Sequence, residues 1–261
     1  MTKLDDVLAD LAAEGDQLEQ LVASLSDEQW RTPTPAAGWD VATQIAHLAW
    51  TDEVAVIAAT DKEAWDAGVL EALKDPVHYV DNAALEGGQA EPADLLARWR
   101  SARPALVKTL REYPEGEKLP WFGPPMSATS MATARFMETW AHALDVYETF
   151  DAVPAPTDRV RHVVFLGTIT RTFAFITHGL PAPEEDVFVS LTLPSGAAWE
   201  HGSPDAANTV CGSAYDFALR VTQRRHRDDL DLVATGSVAD QWLDIAQAFA
   251  GPPGEGRVAS A

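Results

Sequence analysis

The stretch RFMETWAHALDVYETF, residues 135–150, places a carboxylate and an imidazole within a largely apolar segment. If this segment is helical, Glu138 and His142 lie one turn apart on the same face, with their Cβ atoms roughly 5–6 Å apart. That spacing allows both side chains to bind one metal ion. The competing interpretation is a hydrogen-bonded i,i+4 pair, which is common on helices and stabilises them by only a few tenths of a kcal/mol. The spacing alone is compatible with either.

Two helices are predicted in the region that precedes this stretch. Leucines and valines recur at three- and four-residue steps over residues 4–25, which indicates an amphipathic helix. After a loop with two prolines and a glycine, Asp40 is a candidate N-cap for a helix over residues 41–59. His47 lies inside this second helix, where a lone histidine is more often a hydrogen-bonded core residue than a metal ligand.

Two further helices complete a predicted bundle of four. One covers residues 92–113, and Pro104 is expected to introduce a kink or a break in it. The other contains the opening stretch; Ser127 or Thr129 is its candidate N-cap, and it ends near Phe150. Amphipathic helices of this length bury their apolar faces against one another.

The pattern changes near residue 178. A fifth helix is predicted from about residue 158 to 178, and the Gly/Pro-rich segment HGLPAPEED that follows suits a domain boundary. Strands are predicted at VFVSLTL, AAWEHGS and NTVCG, and helices at SAYDFALRVTQRR and VADQWLDIAQAFA. The predicted fold class is therefore α+β, with a helical bundle over 1–178, a small α/β domain over 179–251 and a flexible tail over 252–261.

Composition limits the class of protein. The hydrophobic content of 46% and the charged content of 23% are those of a soluble globular protein. No apolar run approaches the roughly 20 residues that span a bilayer, and the N-terminus lacks a signal-peptide pattern. The single cysteine, Cys211, excludes an internal disulfide and an all-cysteine zinc site, and it is expected to be a small buried residue. A cytoplasmic protein is predicted.

The charge balance argues against nucleic-acid binding. The chain has 19 Lys+Arg against 40 Asp+Glu, a formal charge of −21, which repels phosphate backbones. A basic cluster, RVTQRRHRDD, covers residues 220–229. It is either a solvated helix end or a place where an arginine binds an anion.

Two motifs together carry a family resemblance. GWDVATQIAHLAW, residues 38–50, and METWAHALDVYE, residues 137–148, resemble the DinB-like superfamily, and within it the mycothiol-dependent maleylpyruvate isomerase-like group. The resemblance implies an N-terminal four-helix bundle that binds a divalent metal, followed by a small α/β domain similar to sterol-carrier folds. It also implies that His47, Glu138 and His142 are the metal ligands.

The implied ligand set suggests a catalytic site. Two imidazoles and one carboxylate suit Zn²⁺ or a similar ion and leave a coordination position open. The resemblance implies a low-molecular-weight thiol, mycothiol, that serves isomerisation of an unsaturated acid or S-transfer to an electrophile. The alternatives are a metal-dependent hydrolase or biosynthetic cyclase without thiol, and a non-catalytic module that binds a small molecule or lipid. The expected partners are a small substrate and the thiol, with no nucleic acid or membrane, in a monomer or homodimer.

Other candidate residues surround the motifs. Asp145 lies one turn beyond His142 and is either a catalytic residue that orients the imidazole or a helix-packing aspartate. Arg135 either binds a substrate carboxylate or pairs with another acid. The resemblance implies a C-terminal arginine that holds the anionic substrate or thiol; Arg225 is the candidate for the catalytic role, and Arg220 and Arg224 are candidates for cofactor binding.

Overall fold

A computed structural model describes residues 2–254 and 256–260, which divide into two units, Met1–Pro154 and Ala155–Ala261. The predicted helix over residues 158–178 therefore belongs to the second unit, although the sequence pattern groups it with the bundle. Of the predicted tail, Glu255 and Ala261 lie outside the described residues. None of the described helices combines the length and hydropathy needed to cross a bilayer.

Within the described residues, the first unit contains six α-helices. They are α1 (Lys3–Val22), α2 (Val41–Thr60), α3 (Lys62–Ala72), α4 (Tyr79–Gly88), α5 (Pro92–Glu112) and α6 (Ala128–Thr149). The long helices α1, α2, α5 and α6 pack against one another as the predicted four-helix bundle. The short helices α3 and α4 lie in the connection between α2 and α5, and α4 packs on α2.

Two predicted caps set the start of the helices that carry the motifs. The Asp40 carboxylate accepts hydrogen bonds from the Thr43 backbone N–H and hydroxyl, both at 2.7 Å, at the start of α2. Ser127 Oγ accepts from the Ser130 N–H at 3.1 Å at the start of α6. These bonds satisfy N–H groups that the first helical turn leaves without partners.

Helix α5 continues through Pro104, so of the predicted kink or break the break is wrong. Proline removes one helical hydrogen bond and costs about 3 kcal/mol in a helix interior. The apolar face of α5 outweighs this cost, since Leu95, Trp99, Leu106 and Leu110 are buried on it and each such side chain contributes about 1.5–3 kcal/mol. Tertiary packing thus overrides the local preference.

The bundle core fixes how α2 and α6 face each other. Its buried residues come from all four long helices and include Leu18, Ile45, Leu48, Trp99 and Val146. Ile45 and Leu48 flank His47 in sequence and are fully buried. Packing of these neighbours therefore holds the segment that carries His47 against α6.

The second unit combines four helices with a small sheet in its described part. The elements are α7 (Arg161–Ile169), α8 (Arg171–Thr177), β1 (Val187–Thr192), β2 (Ala198–His201), β3 (Asn208–Ser213), α9 (Ala214–Val221), β4 (Leu232–Thr235) and α10 (Ser237–Ile245). The strand order is β2-β1-β3-β4; β1 and β3 are parallel, and the outer pairs are antiparallel. Strand β4 was not predicted.

The predicted single helix over 158–178 consists of a 3₁₀ turn, α7 and α8. Thr170 interrupts it at φ −86° and ψ 6°, and its hydroxyl lies 2.9 Å from the carbonyl oxygen of Gln247. No local sequence pattern predicts this contact, because Gln247 lies 77 positions away. Helix α7 packs closely on α9, because a Cβ atom at Gly167 would lie 2.7 Å from Val221 Cγ2.

Cys211 is exposed, so the prediction that it is buried is wrong. It lies in β3, where Asn208 and Val210 are buried. Successive side chains of a strand point to opposite faces of the sheet. Val210 therefore lies on the buried face and Cys211 on the exposed face.

Candidate metal centre

Three predicted ligands converge in the first unit. His47 on α2 and His142 on α6 each place Nε2 at 3.2 Å from Oε2 of Glu138. The three ligand atoms lie within 4.8 Å of one another. Helix α6 supplies two of the three because its one-turn spacing brings Glu138 and His142 onto one face, as the sequence predicts.

The donor set and its burial fit a divalent ion. Two imidazole nitrogens and one carboxylate oxygen are the ligands of many catalytic zinc sites. His47 is buried and Glu138 and His142 are partly buried. Nδ1 of His47 is also buried and has no hydrogen-bond partner among residues 2–254 and 256–260.

Glu138 is held as a carboxylate. Burial raises its pKa, but hydrogen bonds from His142 and His47, together with their charges, outweigh burial and hold the pKa of Glu138 well below its usual range. A deprotonated carboxylate is the form that binds a metal ion.

Gln44 orients the imidazole of His142. Its Oε1 lies 2.5 Å from Nδ1 of His142, and its Nε2 donates to Thr34 Oγ1 at 2.9 Å. The Thr34 hydroxyl in turn donates to the Trp39 carbonyl at 2.9 Å, which leaves its oxygen to accept from Gln44. The chain of bonds therefore gives the Nδ1 proton of His142 an acceptor and directs Nε2 toward Glu138.

The sequence pattern missed Gln44. It lies three residues before His47 on α2, so it shares a helix face with a candidate ligand, and this spacing is the signal that was available. Its contact with His142 spans 98 positions of sequence and depends on the packing of α2 on α6.

Aromatic rings surround the ligands. Trp39 stacks on His142 with centroids 5.6 Å apart and is tilted against His47 at 5.3 Å. The ring centroid of Trp50 lies 6.5 Å from that of His47. Further rings continue from Trp50 in successive contacts at 5.0–6.0 Å; they are Tyr79, Phe122, Trp121 and Trp65. Trp39 and Trp50 thus form apolar walls beside the candidate ligands.

Arg135 forms a buried ion pair. Its Nε lies 2.9 Å from Asp52 Oδ1, and both side chains are almost fully buried. Burial raises the pKa of Asp52, and the Arg135 charge and hydrogen bond oppose that effect. Of the two interpretations of Arg135, the structure supports pairing with an acid.

The remaining candidates are one aspartate on α6 and three arginines. Asp145 is buried on α6, and its backbone carbonyl accepts from the Thr149 hydroxyl at 2.8 Å. The three arginines belong to the second unit. Arg220 is buried and donates to the Leu243 and Asp244 carbonyls, both at 2.6 Å, at the end of α10; burial lowers its pKa. Two of its N–H groups are thereby engaged in holding α10.

Arg224 and Arg225 make local backbone contacts. Nη1 of Arg224 donates to the Thr222 carbonyl at 2.8 Å, and Nη1 of Arg225 donates to the Arg224 carbonyl at 2.7 Å. Both follow the end of α9. Their predicted roles toward substrate or cofactor stay predictions, as does that of Asp145.

Comparison with known proteins identifies the family. The model of the mycothiol maleylpyruvate isomerase N-terminal domain matches residues 11–147, which include all three candidate ligands. The chain belongs to this family. Two relatives from Mycobacterium tuberculosis, uncharacterized proteins MT0041 and Rv0036c, are each 51% identical over 250 residues, covering 96% of this chain and 97% of theirs.

Solved structures share the fold. A histidine-to-alanine mutant of the mycothiol-dependent maleylpyruvate isomerase matches with a TM-score of 0.60 and 17% identity, covering 90% of this chain and 93% of that one. The isomerase without that mutation matches with a TM-score of 0.59 and 16% identity over the same shares. These matches confirm the predicted α+β fold class.

Proposed function

We propose that the protein is a divalent-metal-dependent enzyme that uses a low-molecular-weight thiol for isomerisation or S-transfer on a small unsaturated or electrophilic substrate. The convergence of His47, Glu138 and His142 on one point carries the proposal. Zn²⁺ is the proposed metal, because the donor set is that of catalytic zinc sites. Mycothiol is the proposed thiol, because the chain belongs to a family named for it.

When bound, the metal supplies the charge that stabilises a thiolate, and the thiol supplies a nucleophile that adds reversibly to a double bond. The protein's own residues prepare the place for this chemistry. Glu138 provides a carboxylate that is already deprotonated. Gln44 fixes His142 with Nε2 toward the centre, and Trp39 shields both imidazoles on one side.

Residues that contact the substrate and thiol complete the proposal. Asp145 is proposed to help orient the ligand imidazole. Arg225 is proposed to hold the substrate carboxylate, and Arg224 and Arg220 the anionic groups of the thiol cofactor. Since two N–H groups of Arg220 already bind carbonyls of α10, it contributes least to that contact. A cytoplasmic location is part of the proposal, because small thiols are kept reduced there.

Measurement of metal content tests whether the proposed metal centre exists. Protein purified without chelator is expected to contain close to one divalent ion per chain, and both His47→Ala and His142→Ala are expected to lose it while remaining folded. His78→Ala is the matched control, since His78 is exposed and pairs with Asp75 away from the ligands. A wild type that binds no metal after reconstitution, or variants that retain it, would overturn the proposal.

Thiol use is tested separately. In the cobalt-substituted protein, added thiol is expected to produce a sulfur-to-metal charge-transfer band, and turnover is expected to require thiol. A spectrum unaffected by thiol, together with turnover in its absence, would favour the metal-dependent hydrolase or cyclase instead.

A further inference from the structure

A cavity of about 440 Å³ lies within the first unit, between α1, α5 and α6. Its walls are largely apolar, with Leu11 and Ala12 on α1 and Leu106 and Val107 on α5. Among the described residues that line it there is no candidate metal ligand, so it is separate from the proposed metal centre. The volume falls within the roughly 300–1,000 Å³ of small-molecule sites and is about three times that of a ~150 Å³ cavity that binds benzene. A small organic molecule therefore fits.

Two oxygen atoms at the deep end of this cavity have no hydrogen-bond partner in the described chain. Asp52 on α2 and Thr139 on α6 both line the cavity and are each only 3% exposed. Asp52 Oδ1 accepts from Arg135 at 2.9 Å, but its Oδ2 and the Thr139 hydroxyl form no hydrogen bond within residues 2–254 and 256–260. Unlike Nη2 of Arg135, neither oxygen is sealed off by the surrounding protein. Because buried polar groups are almost always hydrogen-bonded, the two oxygens indicate a partner that comes from outside the chain.

The mouth of the cavity carries cations that are already paired. Three arginines of α5 that line it form ion pairs with carboxylates of α1: Arg100 with Glu19 at 2.6 Å, Arg103 with Asp16 at 2.9 Å and Arg111 with Asp5 at 3.5 Å. Lys108 also lines the mouth, but it is exposed and therefore hydrated. Paired or hydrated cations gain little from one more anion. The mouth therefore does not select an anionic ligand.

We infer that this cavity binds a small neutral molecule with an apolar body and one hydroxyl group, such as a substituted phenol. The hydroxyl donates to Oδ2 of Asp52 and accepts from the Thr139 hydroxyl, and the apolar body contacts Leu11 and Leu106. The ligand is neutral because Asp52 and Arg135 already balance each other's charge. A carboxylate would add an unpaired anion beside Asp52, and an ammonium group would add an unpaired cation beside Arg135. A hydroxyl satisfies both oxygens without changing the charge at the deep end.

Calorimetric titration of the full chain with para-propylphenol tests for the site. The wild type is expected to bind this probe, and Ala12→Leu, which fills the cavity from α1, is expected to abolish binding. Val107→Phe fills it from α5 and serves if the first variant does not fold. Ala9→Leu is the matched control, since Ala9 is exposed on α1 and lies outside the cavity. A wild type that does not bind the probe, or binding that persists in the filled variants, would show that the cavity holds only water and would overturn the inference.

Matched probes and variants test the hydroxyl. The methyl ether para-propylanisole lacks the donor and para-propylbenzoate is an anion, so each is expected to bind at least about tenfold more weakly than the phenol. Thr139→Val removes one partner at nearly constant volume and is expected to weaken phenol binding about three- to tenfold. Thr133→Val is the control, because the Thr133 hydroxyl donates to the Thr129 carbonyl at 2.8 Å and lies outside the cavity. Equal binding of the ether or the benzoate, or unchanged phenol binding in Thr139→Val, would overturn the assignment.

Discussion

Gln44 Oε1 lies 2.5 Å from Nδ1 of His142 and so determines which nitrogen of that imidazole faces Glu138. Gln44→Leu is expected to weaken metal binding by about 10–100-fold, because a ligand imidazole that loses its outer hydrogen-bond partner is no longer fixed in tautomer and orientation. Competition with a chromogenic chelator measures the affinity. Gln44→Glu keeps an acceptor oxygen and is expected to retain most of it.

Gln89→Leu is the matched control for that experiment. Gln89 is exposed at the end of α4, and its side chain bonds only to the Leu85 carbonyl in the described chain. An equal loss of affinity in both variants would show that Gln44 acts through general stability and not through His142.

The buried pair of Arg135 and Asp52 is expected to matter for stability more than any exposed pair. Arg135→Met leaves the Asp52 carboxylate buried without its partner and is expected to lower the free energy of unfolding by roughly 3–5 kcal/mol. The double variant Arg135→Met/Asp52→Leu is expected to lose much less than the sum of the single changes. Urea unfolding of all four proteins measures this coupling.

Lys62 and Asp66 supply the exposed comparison, since they form an i,i+4 pair on α3. Lys62→Met is expected to change the free energy of unfolding by less than about 1 kcal/mol. Additive effects of the Arg135 and Asp52 changes would contradict a coupled buried pair.

Asp158 is expected to make the second unit sensitive to acid. Hydrogen bonds from Ser195, whose backbone N–H lies 2.9 Å from Oδ1, hold the pKa of the Asp158 carboxyl below its usual value of 3.8. Because the folded-state pKa is the lower one, this contribution to stability is present above pH 3.8 and is lost as the pH falls through the lowered pKa.

The Asp158→Asn variant tests this direction of the pH dependence of stability. Its stability deficit relative to wild type is expected to be largest near neutral pH and to shrink as the pH is lowered to about 3. Urea midpoints along the pH series measure it. A deficit that grows on acidification would mean that the carboxyl is protonated more readily in the folded state.

Gly167 permits the close approach of α7 to α9. Gly167→Ala is expected to destabilise the protein by about 1–3 kcal/mol, because the added Cβ would lie 2.7 Å from Val221 Cγ2. In a Val221→Ala background the same change is expected to cost far less, since the obstructing methyl groups are gone.

Gly68→Ala is expected to stabilise the protein, in contrast to Gly167→Ala. Gly68 lies in α3, and a Cβ there meets its nearest atom, the Tyr79 hydroxyl oxygen, at 3.9 Å. The higher helix propensity of alanine is expected to stabilise the protein by up to about 1 kcal/mol. Thermal unfolding of both alanine variants separates the steric effect from helix propensity.

The sequence predicted best the helices that are determined by neighbouring residues in the chain. Helices α2 and α6 combine a polar N-cap with a long run of buried positions, and their caps at Asp40 and Ser127 are confirmed. The one-turn spacing of Glu138 and His142 is sufficient by itself to place these two candidate ligands on one helix face. His47 was predicted to be a third ligand only through the family resemblance, because Glu138 and His142 lie some ninety residues away from it in the sequence.

Features that depend on distant contacts were missed. Helices α3 and α4 are short and mostly exposed, so residues 61–90 show no strong apolar periodicity. Strand β4 has only four residues and forms through pairing with β3. The interruption at Thr170 involves a carbonyl 77 positions away. In each case the decisive interaction lies outside the window in which a pattern can be recognised.

Trp39 stacks on one ligand imidazole and lies against the other, with its ring 15° from the plane of His142. An indole in contact with an imidazole loses emission when that imidazole becomes cationic, and a paramagnetic substitute such as Co²⁺, bound by the same nitrogens, quenches it further. Trp39 therefore makes the candidate centre visible in the protein's own fluorescence. Loading and emptying of the site with Co²⁺ can be followed in the native chain, in real time and without an attached label.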